Sequence, residues 1–73
     1  MMKKIKKIKI RVNGKDQFIT DKSKMSDLVK NLKIPMKKVA IELNQEIIDK
    51  KNINKISLKK NDKIEIVHFI GGG

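Results

Sequence analysis

Lys7-Ile8-Lys9-Ile10-Arg11-Val12-Asn13-Gly14-Lys15-Asp16-Gln17-Phe18-Ile19 sets two alternating runs on either side of an Asn-Gly pair. Lys7, Lys9 and Arg11 fall on one face, and Ile8, Ile10 and Val12 on the other. That is the period-two pattern of a half-buried strand. Asn13 and Gly14 both tolerate the positive φ that a type I′ turn requires, so the chain folds straight back. A two-residue turn fixes the register: Val12 faces Lys15, Arg11 faces Asp16, Ile10 faces Gln17, Lys9 faces Phe18, and Ile8 faces Ile19. Arg11 and Asp16 then form a cross-strand ion pair on the outer face, worth about 0.2–0.5 kcal/mol. Ile8, Ile10 and Ile19 point inward, and Phe18 points out.

Beyond the hairpin, Thr20-Asp21-Lys22-Ser23 is a polar break, and Ser23 or its neighbour is expected to cap a helix from Met25 to Leu32. Met25, Leu28, Val29 and Leu32 lie at i, i+3, i+4 and i+7, one apolar stripe. Asp27 near the start and Lys30 and Lys33 near the end suit the helix dipole, and Pro35 is expected to stop the helix. Val39 to Leu43 reads as the next strand, with Val39, Ile41 and Leu43 on one face. Asn44-Gln45 is a turn, with glutamine poorly suited to positive φ, and the short apolar run Ile47-Ile48 follows. Asp49 to Lys60 reads as an irregular connection pinned to the core by Ile53, Ile56 and Leu58. Asn61-Asp62 turns into a last strand from Lys63 to Ile70. In it Ile64 and Ile66 face inward, with Glu65, Val67 and Phe69 on the other side.

Composition narrows the function classes. Seventy-three residues make one small domain, without room for a substrate cavity and its own catalytic shell. With no cysteine and one histidine, neither a disulfide, a thiol nucleophile nor a metal site is expected. The basic start lacks the apolar stretch of a signal peptide, and no run approaches a membrane span. A cytoplasmic chain with no membrane contact is therefore expected. The net charge of +11 raises the question of nucleic acid. Eighteen lysines stand against one arginine, and Phe18 and Phe69 are the two aromatics. Base readers favour the arginine fork, and a stacking platform needs more rings, so nucleic acid is disfavoured as a partner. His68 reads as a solvated strand residue.

Strand, strand, helix, strand, short strand, strand is the order of an α+β β-grasp (ubiquitin-like) fold: a mixed sheet of four to five strands covered on one face by one helix. In that fold the last strand runs parallel beside the first, in mid-sheet. The last strand leads into Gly71-Gly72-Gly73, and a terminal glycine run is either a frayed end or a reactive one.

Four blocks carry a more specific resemblance: Ile10-Arg11-Val12-Asn13-Gly14, Asp27-Leu28-Val29, Val39 through Ile48, and Asn61 through Gly73. In order and spacing they resemble the ThiS family, the small sulfur carriers of thiazole formation in thiamine biosynthesis. The resemblance runs from Lys7 onward. Gln45 stands where the family usually has glycine, and the Met1–Lys6 extension and the lysine content are unusual for it. The resemblance implies one domain over 1–73 with a flexible tail at 71–73, and a carrier rather than an enzyme. An adenylating enzyme related to ubiquitin-activating enzymes would join the Gly73 carboxylate to AMP from Mg-ATP. A persulfide of a sulfur-donor protein would then displace AMP, leaving a thiocarboxylate for thiazole synthase. Gly71 and Gly72 would thread a narrow channel in each partner. Phe18, Val67 and Phe69 are the expected docking patch on the outer face. The alternatives are the molybdopterin synthase small subunit or another Gly-Gly modifier, and a small basic nucleic-acid-binding domain.

Overall fold

The computed structural model describes residues 6–69. The expected hairpin forms in the expected register: β1 (Lys7–Val12) and β2 (Lys15–Thr20) pair antiparallel, with Arg11 opposite Asp16 and Ile8 opposite Ile19. Asn13 and Gly14 take φ of 50° and 81°, as a type I′ turn requires. The Arg11 Nε to Asp16 Oδ1 distance is 3.5 Å with both side chains about half exposed, so this pair contributes little beyond orientation.

Helix α1 spans Met25–Asn31 and buries Met25, Leu28 and Val29. Three expectations about it need correction. Ser23 does not cap it: its hydroxyl donates to the Thr20 carbonyl at 2.7 Å. Lys24 holds the cap position without an acceptor on its side chain, so the free amides at the helix start find partners elsewhere. Met25 N–H donates to the Ile56 carbonyl (2.8 Å), Ser26 N–H to the Ile53 carbonyl (3.1 Å), and the Asp27 carboxylate accepts from Lys24 N–H at 2.9 Å. Leu32 lies past the last helical residue and is 37% exposed, so it does not complete the buried stripe. The stop precedes Pro35. Lys33 enters the left-handed region at φ 54°, Lys33 N–H bonds the Lys30 carbonyl, and Ile34 N–H bonds the Val29 carbonyl. That is a Schellman termination with lysine where glycine is usual.

After a 3-10 turn (Met36–Lys38), β3 (Val39–Leu43) and β4 (Glu46–Ile47) form a second hairpin through Asn44 and Gln45, at φ 51° and 74°. Glutamine therefore does occupy the strained conformation. The segment from Asp49 to Lys60 opens with a second 3-10 turn (Lys50–Asn52) and sends Leu58 into the core, with Ile53 and Ile56 packed against it. β5 (Lys63–His68) closes the sheet, two residues short of the expected Ile70. Phe69 follows the strand, and Ile70 lies outside the described residues.

The strand order is β2-β1-β5-β3-β4, with β5 parallel to β1 and antiparallel to β3. This mixed sheet under one helix is the β-grasp expected from the element order. The core side chains among the described residues are Ile8, Ile10, Val12, Met25, Leu28, Val29, Val39, Ile41, Leu58 and Ile64. β1, α1, β3, β5 and the loop through Leu58 contribute to it, and β2 packs the partly buried Ile19 against it. Each such burial is worth about 1.5–3 kcal/mol against leaving the side chain in water.

β5 is also held from two turns. Asn13 N–H donates to the Ile64 carbonyl at 2.9 Å, and Asn13 Oδ1 accepts from Ile66 N–H at 2.7 Å. The side chain so extends the β1–β5 ladder beyond the point where β1 turns away. At the other end Asn44 Oδ1 accepts from Lys63 N–H at 2.9 Å, and Asn44 Nδ2 donates to Asp62 Oδ1 at 3.1 Å.

Two stability changes are expected. Lys33→Gly and Gln45→Gly remove a left-handed side-chain penalty and should each raise the unfolding free energy by about 0.5–1 kcal/mol after the added chain entropy is counted, measured by urea denaturation. Asn13→Gly keeps the turn but deletes the bond to Ile66 N–H. It should cost about 1 kcal/mol and accelerate amide exchange at Ile66; unchanged exchange there would refute the ladder role.

Candidate functional site

The expected docking residues do not form one patch. Phe18 faces Lys9 across the hairpin. Lys9 lies level with Asn61, whose N–H donates to the Lys9 carbonyl at 2.8 Å. Val67 is six residues farther along β5, about 20 Å at 3.3 Å per residue. Phe18 is 67% exposed beside Lys7, Lys9, Lys59 and Lys60, at the basic end of the sheet. The sequence placed it correctly on the outer face and two strands away. The parallel offset of β1 against β5, which no local turn dictates, separates it from the other two.

Val67 and Phe69 do stand together at the far end of β5. Val67 is 48% exposed and sits opposite Ala40 on β3. Ile47, 75% exposed, lies on the same face opposite Glu42, and sequence reading had not singled it out. The signal available was its strand position beside a polar turn, which does not distinguish an inward isoleucine from an outward one.

Phe69 is held more firmly than an exposed ring at the end of a strand would be. Its N–H donates to the Lys38 carbonyl at 2.9 Å, continuing the β3–β5 pairing by one rung. The Lys50 ammonium lies 5.4 Å from its ring centroid and donates to the Met36 carbonyl at 2.6 Å. One lysine thus ties the 3-10 turn before β3 to the ring that follows β5, with a cation–π contact of about 0.5–1 kcal/mol at such exposure. Lys50 has no sequence signature that distinguishes it from its neighbour Lys51.

His68 is exposed and pairs with Val39 across the sheet. Gly71, Gly72 and Gly73, the expected threading and adenylation residues, lie outside the described residues. No helix among the described residues is long and apolar enough to cross a membrane. The arrangement offers a half-apolar surface at the end of the central strand, with a firmly seated Phe69 four residues before Gly73.

Known proteins are similar to this chain in sequence and share its fold. The family model described as the ThiS family matches residues 7–73. The sulfur carrier protein ThiS of Bacillus subtilis (strain 168) is 40% identical over 65 residues, covering 88% of this chain and 98% of that protein. A thiazole synthase of Paramagnetospirillum magneticum is 35% identical over 66 residues, which are 90% of this chain but 20% of that protein. The crystal structure of the thiamine biosynthesis protein ThiS from Geobacter metallireducens superposes with a TM-score of 0.79 at 28% identity, covering 90% of this chain and all of that one.

Proposed function

The chain belongs to the ThiS family, and from that membership we propose that it carries the sulfur of thiamine biosynthesis as a thiocarboxylate on Gly73. The observation that bears most weight is that the family match extends from residue 7 to residue 73, while β5, the last strand, is bonded on both sides. A free carboxylate is a poor electrophile. An adenylating enzyme related to ubiquitin-activating enzymes converts it with Mg-ATP to an acyl adenylate, releasing pyrophosphate. The outer sulfur of a persulfide on a donor protein attacks the acyl carbon, and AMP leaves. A thiol then cleaves the resulting acyl disulfide, leaving the thiocarboxylate here and a disulfide on the donor side. The thiocarboxylate is the nucleophile delivered to thiazole synthase in the cytoplasm.

The chain's own part in this is presentation. Hydrogen bonds from Asn13 and Asn44 fix β5 lengthwise, and Lys50 with Lys38 fixes Phe69. Gly71 and Gly72 have no side chain to collide with the walls of a channel leading to the α-phosphate. Val67 and Phe69, near that exit, are the docking contacts, joined by Ala40 and Ile47. ATP and Mg belong to the activating partner and not to this protein. The similarity of a short part of a thiazole synthase to this chain supports the view that carrier and synthase act on one another.

Incubation with the adenylating enzyme, Mg-ATP and a sulfur source should yield a species about 16 Da heavier, localised by fragmentation to Gly73. Deleting Gly73 or appending one residue after it should abolish the shift; conversion of the extended variant would show that the terminus is not the reactive group. In the same assay Val67→Ser should raise KM for the carrier at least about fivefold, with kcat preserved. Phe18→Ser, about 20 Å away along the sheet, should leave KM within about twofold.

A further inference from the structure

The residue that follows β5 is held by a lysine from another part of the chain. Lys50 Nζ donates to the Met36 carbonyl at 2.6 Å and stands 5.4 Å from the Phe69 ring centroid. The 3-10 turn Met36–Lys38 also supplies the Lys38 carbonyl that receives Phe69 N–H at 2.9 Å. Lys38 N–H closes that turn on the Pro35 carbonyl at 2.8 Å. Residues 36–38, 50 and 69 therefore form one closed circuit of contacts. The bond from the ammonium is charge-assisted, and it keeps the cation over the ring, where a solvated lysine would wander.

Lys50 is itself placed by its neighbours. Ile48 N–H donates to the Ile41 carbonyl at 3.0 Å, which ties the approach to β3. Asp49 Oδ1 then accepts from Lys51 N–H at 2.9 Å, and the Asp49 carbonyl accepts from Asn52 N–H at 2.9 Å. The second 3-10 turn thus begins with a fixed backbone at Lys50. The adjacent Lys51 is exposed, whereas Lys50 is half-buried. Phe69 remains 55% exposed, so the ring is held from one side and open to a partner elsewhere.

We propose that Lys50 is a positioning residue for docking: it holds Phe69 in the orientation that the adenylating enzyme meets, without touching that enzyme itself. The inference rests on the carrier reading, in which Phe69 is a docking contact. A residue just past the end of a strand frays unless it is tied down. An untied ring occupies the docking orientation only part of the time, and apparent affinity falls by that fraction. A clamp of cation–π strength offsets a loss of about two- to fivefold. Once the carrier is seated the enzyme holds the ring, so the clamp acts on binding and not on the chemical step.

The test is thiocarboxylate formation against carrier concentration, in the full chain with its native terminus, beside amide exchange of the carrier alone. Lys50→Met should raise KM for the carrier about threefold with kcat unchanged. It should accelerate exchange of Phe69 N–H by a similar factor and leave Ile66 N–H, bonded to Asn13, as in wild type. Lys50→Arg keeps a donor and a stacking cation and should restore both values. Lys51→Met removes the same charge from the same turn and should change neither. In a Phe69→Leu background, Lys50→Met should alter KM by less than about 1.5-fold, because the ring it holds is gone. An undiminished effect there would show that Lys50 meets the enzyme directly, which overturns the proposal. Faster exchange with unchanged KM marks the contact as merely structural, and unchanged exchange removes the clamp. Either result overturns the proposal and leaves the carrier reading in place, as does an equal effect of Lys51→Met. Failure of the wild-type chain to be converted overturns both readings together.

Discussion

The hydrogen bonding of β5 on both edges is the constraint from which the rest of the structure follows. A strand between a parallel and an antiparallel neighbour has no free edge, so it cannot slide without breaking two ladders. Its register against β1 is short, with Arg11 opposite Lys63 and Val12 opposite Ile64. The turn asparagines lengthen its anchorage at both ends, at Ile66 and at Lys63. Ile64, fully buried between Val12 and Leu43 on the neighbouring strands, adds the packing that makes slippage costly. Phe69, which directly follows the strand, is thereby located by the whole sheet.

The parts legible in the sequence were those written in local rules. Alternation from Lys7 to Val12 with Asn13-Gly14 dictates both the hairpin and its residue-by-residue register, because a two-residue turn leaves no freedom. The stripe Met25, Leu28, Val29 located the helix, and the anchors Ile53, Ile56 and Leu58 located the loop against the core. Non-local relations were not legible. How far β5 is offset from β1 depends on fifty intervening residues, and that offset separates Phe18 from Val67. The side chains of Asn13 and Asn44 read only as turn formers, although each also bonds β5. Nothing near Lys50 announces the ring it covers.

The chain accepts several local costs. Asn13, Lys22, Lys33, Asn44, Gln45 and Asn61 all have positive φ without being glycine. For asparagine the penalty is small, and at Asn13 and Asn44 the side chain returns a hydrogen bond. At Lys33 and Gln45 no such return is visible, so those two turns are held by the surrounding elements and not by their own preference. In a domain this size, where net stability is a few kcal/mol, such costs are a sizeable share of the margin.

The start of α1 has a consequence for the order in which the molecule assembles. Its first amides are satisfied by the carbonyls of Ile53 and Ile56, roughly thirty residues downstream. Seven residues do not sustain a helix in water on their own. As the polypeptide leaves the ribosome, the first hairpin has its turn and register but not the elements that cover its apolar face, and the helix emerges before its own cap has been synthesised. The helix and the long loop therefore come into being as one cooperative piece, and the helix is fixed in place only when the second half of the chain arrives to close it.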